Sequence, residues 1–323
     1  MSLGEFGRIA RYFAPLAGPG GLGLKDDAAL LGCETGRRLV VTVDAMVAGV
    51  HFLPDDPPDL VARKLLRTNL SDLAAMGARP LYYLLATALP ASCEDDWVAR
   101  FAAGLGEDQR IFGVHLLGGD SVSTSGPAMF SLTAIGDVAE GAEIRRSGAK
   151  AGDKVWVSGT IGDAGLGLAV LKGRYPALAE EHRAALAARY RLPEPRTALG
   201  PKLAGIARAM IDVSDGLLAD LGHICEASGV AATVMAAALP LSPAALAVEA
   251  GEPDLRARCA TTGDDYELLF TAPADADAAI FAASREAGVV VTMIGAVTAG
   301  AGVRLLDAEG RAIAIGRAGY RHF

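Results

Sequence analysis

Asp26, Asp27, Asp44, Asp72, Asp120, Asp212, Asp215, Asp264 and Asp265 stand mostly in apolar or glycine-rich stretches of this chain. Like charges in such surroundings repel strongly, so ionised carboxylates there call for compensating cations or hydrogen-bond donors. Hard divalent cations are the natural candidates. Mg²⁺ takes oxygen ligands, keeps several waters and is completed by substrate phosphates, so scattered aspartates without histidine or cysteine partners point to phosphate chemistry rather than to zinc. Each aspartate alone reads as an ordinary turn or cap residue. The inference rests on their joint context.

Two kinds of segment sharpen it. Glycine beside aspartate lets the backbone approach a phosphate while the carboxylate recruits a metal, and Gly118-Gly119-Asp120 has that form, although by itself it is also a common turn. In Ile211 to Gly216 (IDVSDG) an apolar lead-in delivers Asp212, Ser214 and Asp215 just before a helix. Asp212 there suits a cation, and Ser214 suits a phosphate at the helix start. The loop Gly159 to Asp163 opens a helix too, with Asp163 reading as an ordinary N-cap. His51, close to Asp44 in sequence, is a candidate for an anionic substrate, although a lone histidine is more often structural. No P-loop string occurs and no G-x-G-x-x-G follows a strand, and the kinase H-R-D and D-F-G strings are missing.

The composition agrees. The 323 residues suffice for two domains, and 38 acidic against 30 basic side chains disfavour nucleic acid as a partner. The four cysteines are far apart and form no metal or redox pair, which fits a reducing cytoplasm. The longest uncharged stretch, Ser228 to Val248, is broken by Gly229, Pro240 and Pro243, unlike a membrane span. The opening residues show no export signal.

These residues must be positioned by alternating strands and helices. Leu39 to Val43 predicts a central strand delivering Asp44 at its end, and Leu60 to Met76 a helix carrying Asp72 near its finish. Leu81 to Leu89 predicts a strand and Asp95 to Phe112 a helix. Next come a short strand His115 to Leu117, ending in the glycine–aspartate turn, and a strand Met129 to Ile135. A boundary falls in Gly136 to Asp153, dividing the chain into domains 1–137 and 138–323. The second half predicts strands at Val155 to Ser158, Glu267 to Thr271 and Val289 to Ile294, and helices at Ala164 to Leu171 and Leu217 to Ser228.

The strings GEFGRIARYF (Gly4 to Phe13), KDDAALL (Lys25 to Leu31), VDAMVAGVHF (Val43 to Phe52) and NLSDLAAMGARP (Asn69 to Pro80) resemble the thiamine-monophosphate kinase family. The likeness continues through GGDS at Gly118, RRSGAKAGD at Arg145, SGTIGDAGLGL at Ser158, IDVSDGL at Ile211, DDYELLF at Asp264 and GYRHF at Gly319. It implies an α/β (α+β) two-domain fold of the aminoimidazole ribonucleotide synthetase type, whose N-terminal sheet pairs across a homodimer into a barrel. It also implies transfer of the γ-phosphoryl group of ATP to thiamine monophosphate, aided by several Mg²⁺ ions.

On that resemblance Asp27, Thr42, Val43, Asp44, Asp72, Asp120, Asp212 and Asp215 are expected to serve the metals. Gly119, Asp120, Arg146, Ser214 and Phe112 are expected at ATP, and His51, Asp264 and Arg317 at the acceptor. Arg146, Asp120 and Asp212 are expected to act on the transferring group. The chain departs from the family pattern at Lys25, Thr262, Asp264 and Arg317, where glycine, glycine, glutamate and an aromatic are usual. Two other readings remain at this point. One is a sister enzyme of the superfamily, although no cysteine precedes Cys33 as selenophosphate synthesis wants. The other is an idle nucleotide- or metal-binding relative, whose mark, loss of metal aspartates, is not seen.

Overall fold

The computed structural model describes residues 5–24, 29, 31–252 and 254–320. They form two compact units. The first contains the residues up to Leu73 together with Ala78–Gly141, and the second contains Ala74–Gly77 and the residues from Ala142 onward.

In the first unit a helical turn α1 (Glu5–Arg8) runs into irregular turns over Ile9–Phe13, Ala14–Leu16 and Pro19–Leu24. There follow β1 (Arg37–Val47), α2 (Pro58–Ala75), β2 (Arg79–Pro90), α3 (Asp95–Phe112), β3 (His115–Thr124) and β4 (Met129–Ala139). The strands make one sheet in the order β1-β4-β2-β3, with β2 and β3 parallel around the α3 crossover. Helix α2 opens on Pro58, whose missing N–H costs nothing at a first turn. Helix α3 carries Asp95 and Asp96 at its positive end and stops at Gly113, which takes the left-handed conformation a C-cap needs. Asp108, fully buried on α3, accepts from Arg67 at 2.7 and 2.9 Å and from Arg63 at 2.9 Å, tying α3 to α2.

Alternation along the strands sorts the two faces of this sheet. Tyr83, Leu85, Phe130 and Leu132 are buried together with Leu65, Leu66, Leu70, Phe101 and Leu105 of α2 and α3. The other face is open in the single chain, with Val41 and Val43 each 60% exposed and Leu84, Val122 and Met129 exposed beside them.

Two sequence expectations change here. Asp44 does not end a central strand, because β1 continues to Val47 and is an edge of the sheet. Gly118-Gly119-Asp120 is not a turn after a short strand, because β3 runs on to Thr124. The glycines that suggested a stop lie inside the ladder, since a Cβ on Gly119 would sit 1.8 Å from the Leu85 carbonyl oxygen.

The second unit contains β5 (Lys154–Ser158), α4 (Asp163–Leu171), α5 (Glu180–Arg191), β6 (Ala209–Asp212), α6 (Leu217–Ser228), β7 (Ala231–Met235) and α7 (Pro243–Glu249). It continues with α8 (Leu255–Cys259), β8 (Leu268–Ala272), α9 (Asp277–Ala287), β9 (Val291–Thr298) and β10 (Gly302–Leu306). Its sheet has the order β10-β7-β9-β5-β8-β6. Both faces are covered. Val155 and Val157 join one core with Ile211, Leu217, Leu221 and Leu269, while Trp156 joins another with Met210, Phe270 and Ile280. Among the described residues no helix is long and apolar enough to cross a membrane.

Candidate active site

In the first unit β1 and α2 bring three of the expected residues together. The Thr42 hydroxyl donates to Asp72 Oδ2 at 2.6 Å, and the Asp44 backbone N–H donates to Asn69 Oδ1 at 3.0 Å. Burial, reinforced by the negative charge of Asp72, pushes the Asp44 carboxyl up to about 6. A pair of carboxylates that resist common ionisation, with a hydroxyl beside them and only oxygen donors, suits a hard cation such as Mg²⁺. Val43 faces the open side of the sheet. Asn69, fully buried and anchored by its Nδ2 to the Leu65 carbonyl at 2.9 Å, escaped sequence reasoning because nothing marks a helical asparagine as a strand clamp.

His51 lies in the turn after β1, where its Nδ1 accepts from the Val47 N–H at 3.1 Å, and buried Lys64 donates to the His51 carbonyl at the same distance. Phe112 closes α3 partly buried, with the Arg67 guanidinium 5.2 Å from its ring centroid. Asp26, Asp27 and Lys25 lie outside the described residues.

On β3, Gly118, Gly119, Asp120 and Ser121 line a pocket of about 220 Å³ with Phe13 and Leu24. Asp120 is exposed and its Oδ1 accepts from the Ser121 N–H at 2.8 Å. The strand register separates it from Asp44. Asp44 pairs with Leu132, Leu132 with Leu85 and Leu85 with Gly119, whereas Asp120 pairs with Ala86 on the opposite face. The two aspartates occupy the two edge strands, three strand spacings or roughly 14 Å apart. One chain therefore does not bring them to one ion.

In the second unit the end of β6 gathers the remaining candidates. Asp212 is buried at the strand's last position, and Ser214 and Asp215 follow in a half-buried loop. The backbone N–H groups of Ser214, Asp215 and Gly216 all donate to Asp220 Oδ2, each at 3.1 Å. The amides of the loop leading into α6 are thus occupied by the protein's own carboxylate, which leaves the Ser214 hydroxyl as the group this loop offers to a phosphate. Burial drives the Asp220 carboxyl up to about 7 despite those three bonds. Donor atoms of Asp215, Asp220 and His223 lie within 4.8 Å of one another.

Asp264 belongs to the neighbouring turn, its N–H donating to the Ser214 carbonyl at 2.9 Å. The C-terminal stretch lies against the same loop. The Tyr320 N–H donates to the Asp215 carbonyl at 2.9 Å, and a Cβ on Gly319 would come within 2.7 Å of that oxygen, which places exposed Arg317 two residues from the contact. Arg146 is exposed on a segment held beside β6. The Met210 N–H donates to the Arg145 carbonyl at 2.9 Å and the Ser228 hydroxyl to the Arg146 carbonyl at 3.4 Å.

The loop Gly159 to Asp163 is capped from elsewhere. Gly162 is the N-cap of α4, and buried Asp265 accepts from the Gly162 and Ala164 N–H groups at 2.7 and 3.3 Å. Asp163 instead accepts from the hydroxyls of Thr160 and Ser242, both at 2.6 Å. No local spacing connects residue 265 with residue 162, which is why capping was expected of Asp163.

Residues 25–138 match the AIR synthase related protein family in its N-terminal domain, and residues 150–308 match the C-terminal domain of that family. The chain is 46% identical over 323 residues to the thiamine-monophosphate kinase of Caulobacter vibrioides, covering 98% of this chain and 90% of that protein. The crystal structure of thiamine-monophosphate kinase from Stenotrophomonas maltophilia K279a is similar with a TM-score of 0.85 at 41% identity, covering 97% of this chain and 99% of that one. AaThiL complexed with AMPPCP and TMP is similar with a TM-score of 0.78 at 30% identity, covering 100% and 99%.

Proposed function

We infer the reaction from kinship and geometry together: the chain belongs to the thiamine-monophosphate kinase family of AIR synthase related proteins, and it uses ATP to phosphorylate thiamine monophosphate to thiamine diphosphate. The observation that carries this most is similarity over the full chain to AaThiL, a protein solved with AMPPCP and TMP together.

The attacking oxygen belongs to a phosphate monoester whose second pKa is about 6, so near neutrality it is already largely dianionic and needs no strong general base. The chain's task is to hold two highly charged groups in line. Thr42, Asp44 and Asp72 form one oxygen-rich group suited to Mg²⁺, with Val43, Asp27 and Asp120 assigned to the metals as well. Asp212 and Asp215 offer a second group. Bound Mg²⁺ supplies charge neutralisation for the phosphate oxygens. Arg146, exposed on a pinned segment, offers a guanidinium fork to the transferring phosphoryl group. Gly119 and the Ser214 hydroxyl serve ATP, with Phe112 on the nucleotide side. His51, Asp264 and Arg317 serve the acceptor.

Residues 1–137 bind ATP and metal and carry the subunit contact, and residues 138–323 complete the site. The active form is a homodimer in which the open apolar face of β1 to β4 is covered by a second copy, closing the sheets into a barrel. What supports this is the exposed Val41, Val43 and Val122 on that face. The roughly 14 Å between the edge strands that carry Asp44 and Asp120 points the same way, since a second copy is what can bring one chain's Asp120 to the other's Asp44. A cytoplasmic setting fits the four free cysteines.

The test is product analysis by chromatography with ATP, Mg²⁺ and thiamine monophosphate, free thiamine or an aminoimidazole precursor. Thiamine diphosphate and ADP should form in equal amounts from the monophosphate alone. Faster phosphorylation of free thiamine would make the assignment wrong.

A further inference from the structure

The segment Asp264-Asp265-Tyr266-Glu267 alternates between two environments. Asp265 and Glu267 are 1% and 0% exposed, while Asp264 and Tyr266 are half-buried. The latter two carry left-handed backbones, with φ of +68° and +51°. Non-glycine residues rarely take such angles, and where they do the surrounding structure has to impose them.

Here the imposing contacts are specific. Asp265 is held by the Gly162 and Ala164 amides. Glu267 accepts from the Ser158 hydroxyl at 2.6 Å, from Arg189 Nη2 at 2.9 Å and from Arg196 Nε at 2.6 Å. On the other side the N–H groups of Asp264 and Tyr266 donate to the carbonyls of Ser214 and Val213 at 2.9 and 2.8 Å. Glycine at both positions would adopt the same backbone without strain. What the turn retains at this cost is a pair of side chains, and they meet: Tyr266 Oη donates to Asp264 Oδ1 at 3.3 Å.

We propose that Tyr266 is a positioning residue for the acceptor, its hydroxyl orienting the Asp264 carboxylate to accept a hydrogen bond from the heterocyclic part of thiamine monophosphate. The inference rests on the reading that places Asp264 at the acceptor. Tyr266 acts through Asp264 and takes no part in phosphoryl transfer.

Tyr266→Phe keeps the ring and removes only the hydroxyl, so it should fold with an unchanged Tm. Steady-state kinetics of Tyr266→Phe, Asp264→Ala and the double variant decide the question. In Tyr266→Phe the KM for thiamine monophosphate should rise by about 3- to 10-fold, as expected for one hydrogen bond, while kcat and the KM for ATP stay within about twofold. The double variant should be no worse than Asp264→Ala alone, because both remove one interaction. An acceptor KM raised in Asp264→Ala but unchanged in Tyr266→Phe, or two additive effects, overturns the role of Tyr266 alone. An acceptor KM unchanged in Asp264→Ala removes Asp264 from the acceptor site and this inference with it. A lower Tm in Tyr266→Phe with an unchanged acceptor KM would make the contact merely structural, which also overturns it.

Discussion

Replacing Asp44 by asparagine should stabilise the metal-free protein while abolishing its activity. The carboxyl is raised from 3.8 to about 6 by burial and by the charge of Asp72. A group whose folded value is raised in this way weakens the fold once it is ionised, because the unfolded chain releases the proton more readily. At 1.36 kcal/mol for each tenfold change in proton affinity the shift corresponds to about 3 kcal/mol, and solvent screening at a partly exposed strand reduces this to about 2. The side-chain amide removes the charge but leaves the Asp44 N–H to Asn69 bond and the Thr42 to Asp72 bond in place. Urea unfolding in EDTA near neutral pH should therefore show Asp44→Asn more stable by about 2 kcal/mol. The advantage should shrink as pH falls through about 6 and vanish below 3.8, where both forms of the wild-type chain are protonated. Mg²⁺ should stabilise the wild type more than the variant, and turnover of the variant should fall by orders of magnitude. A variant less stable than the wild type in EDTA near neutrality would refute the reasoning, since Asp44 would then be a structural carboxylate.

Gly119→Ala should destabilise by about 3 kcal/mol or more in urea unfolding, because its Cβ would meet the Leu85 carbonyl at 1.8 Å. A normally stable but inactive variant would instead assign the glycine to phosphate approach alone. Asp137, buried and bonded to Arg37 and Arg79, is held below the usual carboxylate range because those bonds outweigh the upward push of burial. Its contribution is present above the ordinary carboxylate value and is lost as pH falls through the depressed one, so Asp137→Asn should be clearly less stable at neutral pH and match the wild type in strong acid. Dimers assembled from Asp44→Asn and Asp120→Asn chains, each inactive as a homodimer, should recover turnover at one of their two sites, as measured on purified heterodimers carrying two different tags. Failure to recover would place both residues at a site within one chain.

Where local pattern governs, the sequence was legible. Helix α3 begins at Asp95 and ends at Phe112 as expected, because acidic residues open it and Gly113 stops it. Helix α6 likewise spans Leu217–Ser228. The errors arise where tertiary contact decides. β3 continues through two glycines because β2 lies too close for a side chain, and β1 becomes an edge strand because β4 pairs on only one side of it. α5, with little apolar periodicity, and β7, inside an uncharged run, were not anticipated. The same limit applies to the site. Aspartates in apolar or glycine-rich stretches mark Asp44, Asp120 and Asp212 as candidates, but Asn69, which holds the Asp44 backbone, Asp220, which holds the loop after Asp212, and Asp265, which caps α4, all act through backbone amides. The amides that Asp265 caps lie about a hundred residues away along the chain, and such contacts leave no spacing signature.

The central claim is direct transfer of the γ-phosphoryl group of ATP to the phosphate of thiamine monophosphate. Following [γ-³²P]ATP in a single turnover tests it most directly. The label should appear in thiamine diphosphate, specifically in the terminal phosphate that a phosphatase removes to regenerate unlabelled thiamine monophosphate. Label recovered only as inorganic phosphate, or transferred to free thiamine in preference, would contradict the account.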